Sequence, residues 1–462
     1  MYASKSSSER ANKSDFKGDT QMNKWKASLA LSAVSILAAG MVGCGSKNTS
    51  DASGNASASA SGSNKFKLTV TSSMTDESRV EIMNETIKLF NQTHPNVTIE
   101  YNPSPWSEYA QNLKLAFTSG AGQDIVYVDD TMQQMLQKNN YLLDITDEVN
   151  SRGWADKQVP GAIEFQNART PGKDYSVPFM TAPVVVYYNK DIFNKLNLTP
   201  PKTMDELNSI MAKVKEAGYV PMENGGMSNT PKMWSVFNMI YNQTSKDDVQ
   251  QFYFQKGITP AFEKAIVSAL TQVNDWQNSG YFRKEDASID GNAVPTYYAK
   301  GQSAMVLGGN WDIPTYEGTK VPTGAFAFPA ADASSQSHAI VNATDGGWAL
   351  NADLSDEKKQ AALDFIDTFM NPEIVKLWYE GGSTPTVKAD MSGANASDLK
   401  KEVDQSIQST EMGFFLDNAV PGLADIINKQ LQMMSFHKTT PEQAWEEIKK
   451  EYNKLVLVAQ GQ

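Results

Sequence analysis

Ile125-Val126-Tyr127-Val128 and Val184 to Tyr188 are unbroken apolar runs, each set among stretches of helical periodicity. A strand without a polar face is buried on both sides, which requires a sheet covered by helices above and below. The surrounding pattern agrees. Phe66, Leu68 and Val70 alternate as in a strand; Val80, Met83, Ile87 and Phe90 then recur at spacings of three and four, and Pro95 closes that helix. Val97, Ile99 and Tyr101 alternate again, and the next helix carries Tyr109, Leu113 and Phe117 on one face up to Gly120. A second unit begins near Tyr175. Thr203-Met204-Asp205-Glu206 is a capping-box pattern for a helix that stops at Gly218, and Thr440, Pro441 and Gln443 open the last helix in the same way. Further helices are expected around Trp234–Tyr241 and Phe262–Trp276, and over Lys358–Glu380 with a break at Pro372. Met305-Val306-Leu307 reads as a short strand running into Gly308-Gly309-Asn310-Trp311. Strand–helix alternation with short loops predicts an α/β fold with a parallel sheet and helices on both faces.

At 462 residues the chain is too long for one ordinary core and suits two or three domains. Its formal net charge is -12; residues 1–43 hold six Lys/Arg and three Asp/Glu, so the remainder carries -15. An acidic body of this size argues against nucleic acid, whose phosphates need a basic footprint. Cys44 is the single cysteine, and His94, His338 and His437 are scattered, so neither a disulfide framework nor a His/Cys metal cluster is available within one chain.

The amino terminus reads as an address. Lys24 and Lys26 precede an uncharged run from Ala27 to Val42, too short to span a bilayer and suited to the apolar core of a signal peptide. Met22 opens a more ordinary signal than Met1. Ala39-Gly40-Met41-Val42-Gly43 leads into Cys44 and resembles the bacterial lipobox, in which cleavage exposes a cysteine for lipidation; Met41 stands where leucine is usual. Residues 44–64 are mostly Ser, Ala, Gly and Asn with almost no apolar bulk, a composition expected to be disordered. A flexible coil of about twenty residues spans roughly 25 Å, enough to tether a folded body near a membrane.

Four later segments share a further likeness. Tyr175–Phe193 runs from a proline through an apolar strand into Tyr188-Asn189-Lys190-Asp191; Ala299–Pro314 carries Lys300-Gly301, Ala304-Met305, Gly309 and Trp311 in order; Asp345–Glu373 places a glycine-containing strand before a helix; and Gly381–Val387 supplies the turn after it. In this order and spacing they resemble the extracellular solute-binding proteins of ABC importers, in the group that takes oligosaccharides and includes maltose-binding protein, with the likeness covering about residues 65–462. The resemblance implies a two-lobe, hinged fold of the maltose-binding-protein type. Lobe 1 would hold 65–180 plus 345–388, and lobe 2 would hold 183–340 plus 390–462, after a signal peptide over 1–43. It also implies a Gram-positive, lipid-anchored monomer on the outer face of the membrane. Such a protein works without cofactor or catalysis and hands a neutral di- to tetrasaccharide to two permease subunits and an ATPase.

A sugar ring has an apolar face and a polar edge, so its site combines aromatic platforms with carboxylates and amides. In open α/β sheets ligands collect at the carboxyl ends of strands. That selects Ser73 after the first strand, Asp129 and Asp130 after Val128, and Asn310, Trp311 and Asp312 after Leu307. The resemblance puts Trp311 in the cleft as a sugar platform. It adds Met180 and Thr181 at the first crossing, Asp345 and Trp348 near the hinge, Trp106, Trp234, Phe415 and Asp417. Plainer readings stand beside these: core indoles for the tryptophans, solvated strand-end carboxylates for Asp129 and Asp130. Several of these loops carry no cationic residue, which favours a neutral ligand over a phosphate or organic anion. A peptide, polyamine or metal chelate on the same fold is an alternative. So are an adhesive lipoprotein and a surface glycosidase using a carboxylate pair, although no G-x-S-x-G elbow, H-E-x-x-H or Walker A loop occurs.

Overall fold

The computed structural model describes residues 65–227, 231–333 and 338–460. The signal run, Cys44 and the Ser-rich segment lie outside the described residues.

Ten strands follow one another as β1 (Phe66–Thr71), β2 (Val97–Tyr101), β3 (Ile125–Val128), β4 (Ser176–Asn189), β5 (Val220–Glu223), β6 (Ser303–Gly309), β7 (Thr323–Phe326), β8 (Ala339–Leu350), β9 (Thr384–Pro385) and β10 (Glu411–Gly413). Along the sheet the order is β2-β1-β3-β8-β4-β6-β5. The parallel pairs β1 with β2, β1 with β3 and β5 with β6 are those the strand–helix alternation predicts. β10 also runs parallel to β8, but the other pairs differ from an all-parallel sheet: β3 with β8, and β4 with β6, β7, β8 and β9, are antiparallel. The cause is the length of β4 and β8. Ser176 to Pro183 of β4 pairs with Ala349 back to Asn342 of β8, with a register shift around Met180; beyond that, Val184 to Tyr188 pairs with Gly309 back to Met305 of β6. Each strand therefore serves two sheets in turn.

Among the described residues the two largest bodies of core on these sheets lie apart. One gathers Leu68, Val70, Met83, Phe90, Ile125 and Tyr127 with Phe179, Trp348, Phe369 and Trp378. The other gathers Val184, Val186, Leu207, Trp234, Phe237, Phe262, Trp276, Met305, Leu423 and Trp445. We call them the first and second lobes; β4 and β8 run through both. Helix starts are capped: the Asp76 side chain accepts from the Arg79 N–H at the start of Glu77–Thr93, and the capping box expected at Thr440 and Gln443 forms completely on Pro441–Ala459. At Thr203 only half of the box forms, because Glu206 turns instead to the Lys202 N–H at 2.6 Å. Pro372 starts a new helix, Pro372–Glu380, after Asp356–Thr368 ends.

Candidate ligand-binding site

Where β4 and β8 cross between the lobes, loops at the carboxyl ends of β1, β3 and β6 converge. On the first-lobe side the chain leaves β1 through Ser72, whose hydroxyl lies 2.6 Å from that of Tyr101, and reaches Asp76. Asp76 caps the next helix and also takes the Arg79 guanidinium. Burial acts to lower the Arg79 pKa; Asp76 and Asp345 outweigh it and the pKa is raised. Asp345, at the cleft end of the first-lobe part of β8, receives the Tyr127 hydroxyl at 3.4 Å. Burial pushes its carboxyl up, against the pull of Arg79.

The second lobe answers with Gly308-Gly309-Asn310-Trp311-Asp312. The glycines are what allow the turn to fold back on its strand. A Cβ on Gly309 would lie 2.3 Å from the Trp311 ring, and one on Gly308 would lie 2.7 Å from the Asp312 carboxylate. Asn310 is buried and donates from Nδ2 to the Thr181 carbonyl at 3.1 Å and to the Thr384 hydroxyl at 3.2 Å, holding the turn to the floor. Asp312 accepts from the Gly309 N–H at 3.2 Å; burial drives its carboxyl up to about 7, with that hydrogen bond and Arg79 acting the other way. Trp311 is half-buried and meets Trp234 edge to face, centroids 5.9 Å apart at 75°. Arg79, Met180, Asn310, Trp311, Asp345 and Ser383 enclose a free space of about 10 Å³, room for one water, so the lobes are drawn together here.

A second cluster lies after β3. Asp129 caps the helix Asp130–Lys138, accepting from Met132 N–H at 2.7 Å and the Thr131 hydroxyl at 2.8 Å. Burial, then the neighbouring Asp130, raise it to about 6. Asp417, from the second lobe, is raised to about 7 by burial; its own N–H opposes this while Asp129 and Asp130 add to it. Its Oδ1 is buried with no protein partner, as is the Thr181 hydroxyl. Asp130 takes Arg169 Nε at 2.7 Å and the hydroxyl of Tyr253. Six carboxyls thus gather in the two clusters, Asp76, Asp312 and Asp345 in one and Asp129, Asp130 and Asp417 in the other, with Arg79 paired to Asp76 and Arg169 to Asp130. Such a surface accepts hydrogen bonds from hydroxyl or ammonium donors, beside indole faces. Among the described residues no group of three or more His, Cys, Asp or Glu is arranged to hold a metal, and no helix is long and apolar enough to cross a membrane.

The family model for bacterial extracellular solute-binding proteins matches residues 72–376 of the 462. The chain belongs to that family. This solute-binding protein is 25% identical to the maltodextrin-binding protein MdxE of Bacillus subtilis (strain 168) over 312 residues, 66% of this chain and 68% of that one. It is 22% identical to the sn-glycerol-3-phosphate-binding periplasmic protein UgpB of Brucella abortus (strain 2308) over 410 residues, 82% of this chain and 91% of the other. Among solved structures, a chitin oligosaccharide binding protein superposes with a TM-score of 0.75 at 20% identity, covering 85% of this chain and 99% of that one. The likeness fixes the fold as that of the hinged, two-lobe binding proteins.

The structure brings together Met180, Asn310, Trp311 and Asp345 around one crevice, with Thr181, Trp234 and Asp312 in contact with it or adjoining it. Asp129, Asp130 and Asp417 form the second cluster, and half-buried Phe415 packs on the second-lobe core beside it. Ser73 is half-buried at the end of β1, away from the crevice lining. Trp106 stands at the start of the helix Trp106–Thr118 with 51% of its surface exposed. Trp348 requires a correction: it is fully buried, because β8 sets it opposite Tyr127 on β3 and its indole packs on Tyr127 and Phe369 at 4.9 and 5.0 Å inside the first-lobe core. The cations also need correcting. Arg79 and Arg169 do reach the cleft, each already paired with carboxylate. Arg79 lies a few residues beyond the strand-end loop selected by the sequence, and its one local signal is Asp76 three positions earlier at a helix start. Ser383 and Tyr253 carried no such signal.

Proposed function

We propose that this chain is the substrate-binding lipoprotein of an ABC importer and captures a neutral oligosaccharide of two to four rings between its lobes. The observation that carries the reading is the pairing of Trp311 on Trp234 within reach of Asn310, Arg79 and Asp345, an apolar platform beside polar groups from both lobes. The maltodextrin and chitin-oligosaccharide ligands in the names of its relatives support the sugar class. Arg79 and Arg169, the guanidiniums at the two clusters, are already paired with Asp76 and Asp130, which leaves neither free for the glycerol phosphate ligand in the name of another relative. On this reading the lobes are 65–180 plus 345–388 and 183–340 plus 390–462, hinged on β4 and β8. Cleavage before Cys44 and its lipidation leave the 44–64 segment as a tether on the outer face of a Gram-positive membrane, where permease subunits receive the sugar. The protein is a receptor and leaves its ligand unchanged.

The buried carboxyls of Asp129, Asp312 and Asp417 favour one second reading, a cationic solute such as a polyamine, whose charge would draw their raised pKa values back down. Calorimetric titration separates the two. A panel of maltodextrins, chitin-, xylo-, fructo- and raffinose-type oligosaccharides is run beside spermidine, with the recovered ligand checked by chromatography. Micromolar binding of one sugar class, intact on recovery, establishes the first reading; binding of spermidine alone replaces it, and cleaved sugar overturns the receptor claim.

A further inference from the structure

Away from the Trp311 crevice the two lobes are joined by a buried polar bridge. Arg169, on the loop after the first-lobe helix Ala162–Gln166, donates from Nε to Asp130 at 2.7 Å and from Nη2 to the Asn418 carbonyl of the second lobe at 2.7 Å. Its guanidinium carbon sits 4.5 Å above the ring of Tyr253, also of the second lobe, whose hydroxyl donates to the same Asp130 carboxylate. Apolar stacking seals the bridge from behind: Phe165 lies on Phe414 at 4.3 Å and Phe414 on Tyr253 at 4.0 Å. The Arg169 side chain is 8% exposed and that of Asp130 17%. A planar guanidinium bonded to both lobes through Nε and Nη2 and stacked on Tyr253 leaves no gap at that point for a chain of rings to pass.

We infer that the Asp130–Arg169–Tyr253 bridge is a wall that closes one end of the cleft, so that the protein reads a terminus of its oligosaccharide and limits its length. This rests on the sugar-binding reading above. Asp129 and Asp417, from opposite lobes, adjoin the bridge: they are next in sequence to Asp130 and Asn418, and the charges of Asp129 and Asp130 both act on Asp417. The Oδ1 of Asp417 is buried without a protein partner and is an acceptor for a hydroxyl of the last ring. A terminal ring offers a free hydroxyl at that point where an internal ring carries a glycosidic bond. Arg169 and Tyr253 act as positioning and length-limiting residues.

The test uses the full chain and a trisaccharide of whichever series binds, unlabelled or carrying a bulky aromatic label on one terminus or on the other. The wild-type protein is expected to bind one labelled form about tenfold or more weakly than the unlabelled sugar. Arg169→Ala is expected to recover that form while gaining affinity for longer members of the series relative to short ones. Arg169→Lys, which keeps the charge and loses the planar fork, is the second variant, and the wild-type label comparison needs no variant at all. Equal binding of both labelled forms to the wild type overturns the inference. So does a uniform change across all lengths in Arg169→Ala, the signature of a clamp on closure rather than a wall. Failure of every unlabelled sugar to bind removes the sugar-binding reading and this inference with it.

Discussion

Trp311 is the residue on which the sugar reading can be tried most directly. Its indole is half-buried, lies over a glycine and touches Trp234 by its edge, so truncation removes a platform without opening the lobe core. Trp311→Ala is expected to weaken oligosaccharide binding by about 2 kcal/mol, roughly 30-fold in Kd, in calorimetric titration with the melting temperature little changed. Trp348→Ala should do the reverse, unfolding the protein at lower temperature by emptying a core site worth about 3–5 kcal/mol. Asp312 and Asp417 give a pH signature. A carboxyl whose folded pKa stands above its unfolded value near 4 holds its proton more firmly when folded. Its contribution to stability is therefore largest below about 4 and is lost as pH rises towards the folded value, about 7 for both groups. Between pH 5.5 and pH 8 the wild type is expected to lose melting temperature on this account, and Asp312→Asn or Asp417→Asn to lose less; an unchanged slope in both variants would refute it. At this scale the sequence spoke clearly where a motif tied residue type to place, as at Asn310-Trp311-Asp312. It was silent for Arg169 and Tyr253, whose roles come from Asp130 and Asn418, distant in the chain, and for Arg79 it offered only the nearby Asp76 and nothing of Asp345.

Elements succeed or fail by their local grammar. The buried runs at Ile125 and Val184, the Asp76 and Thr440 caps and the Pro372 restart all lie where short-range chemistry puts them. The long strands were only half visible. Pro178 and Pro183 interrupt the apolar pattern of β4, yet both sit inside it, beside a register shift and opposite Gly347 and Asn342 of β8. The half of β8 from Ala339 to Thr344 alternates too little to read as a strand, and forms because β4 and β10 supply its partners. The Gly308-Gly309 turn is the element most sensitive to a single atom. Gly309→Ala forces a Cβ into the indole face, and the ring must leave its place on the strand end. The variant is expected to stay folded by circular dichroism and to lose sugar affinity by a factor near that of Trp311→Ala; wild-type affinity would show that the ring position does not matter for binding. A second element is held by buried charge. Lys232, two residues before Trp234, reaches Asp286, Gln277 and Ser435 at 2.7–2.8 Å, with the Asn224 side chain bonded to Asp286 and to the Lys232 N–H. Lys232→Ala leaves Asp286 buried and uncompensated, a loss of about 3–5 kcal/mol in urea unfolding.

The arrangement of the whole molecule is the part that local pattern could not supply. Each lobe takes its core from segments hundreds of residues apart, Leu68 with Trp378 and Val184 with Trp445. No periodicity within a window of fifteen residues carries that information; only the likeness to a family did. The closeness of the lobes has a mechanical consequence. At the crevice the free space holds one water, and Gly382 of the first lobe approaches Ile313 of the second so nearly that a Cβ on Gly382 would lie 3.4 Å from that of Ile313. A ring of six heavy atoms cannot enter such a space, so ligand entry requires the lobes to part there. Disulfides bridge Cβ atoms about 3.5–4.5 Å apart, so Cys at 382 and 313 can lock this arrangement. The substitutions Gly382→Cys and Ile313→Cys, made with Cys44→Ser, place the bond. Gly382 has φ +96°, and a side chain there costs on the order of 1–3 kcal/mol, which the single variant Gly382→Cys measures separately. The reduced protein should bind its ligand and the oxidised protein should give no heat on titration, with binding restored by reductant. Scattering should show the reduced, ligand-free protein more extended than the oxidised one. If the oxidised form binds as tightly as the reduced form, the site does not lie behind this contact, and closure at Gly382 is not the gate.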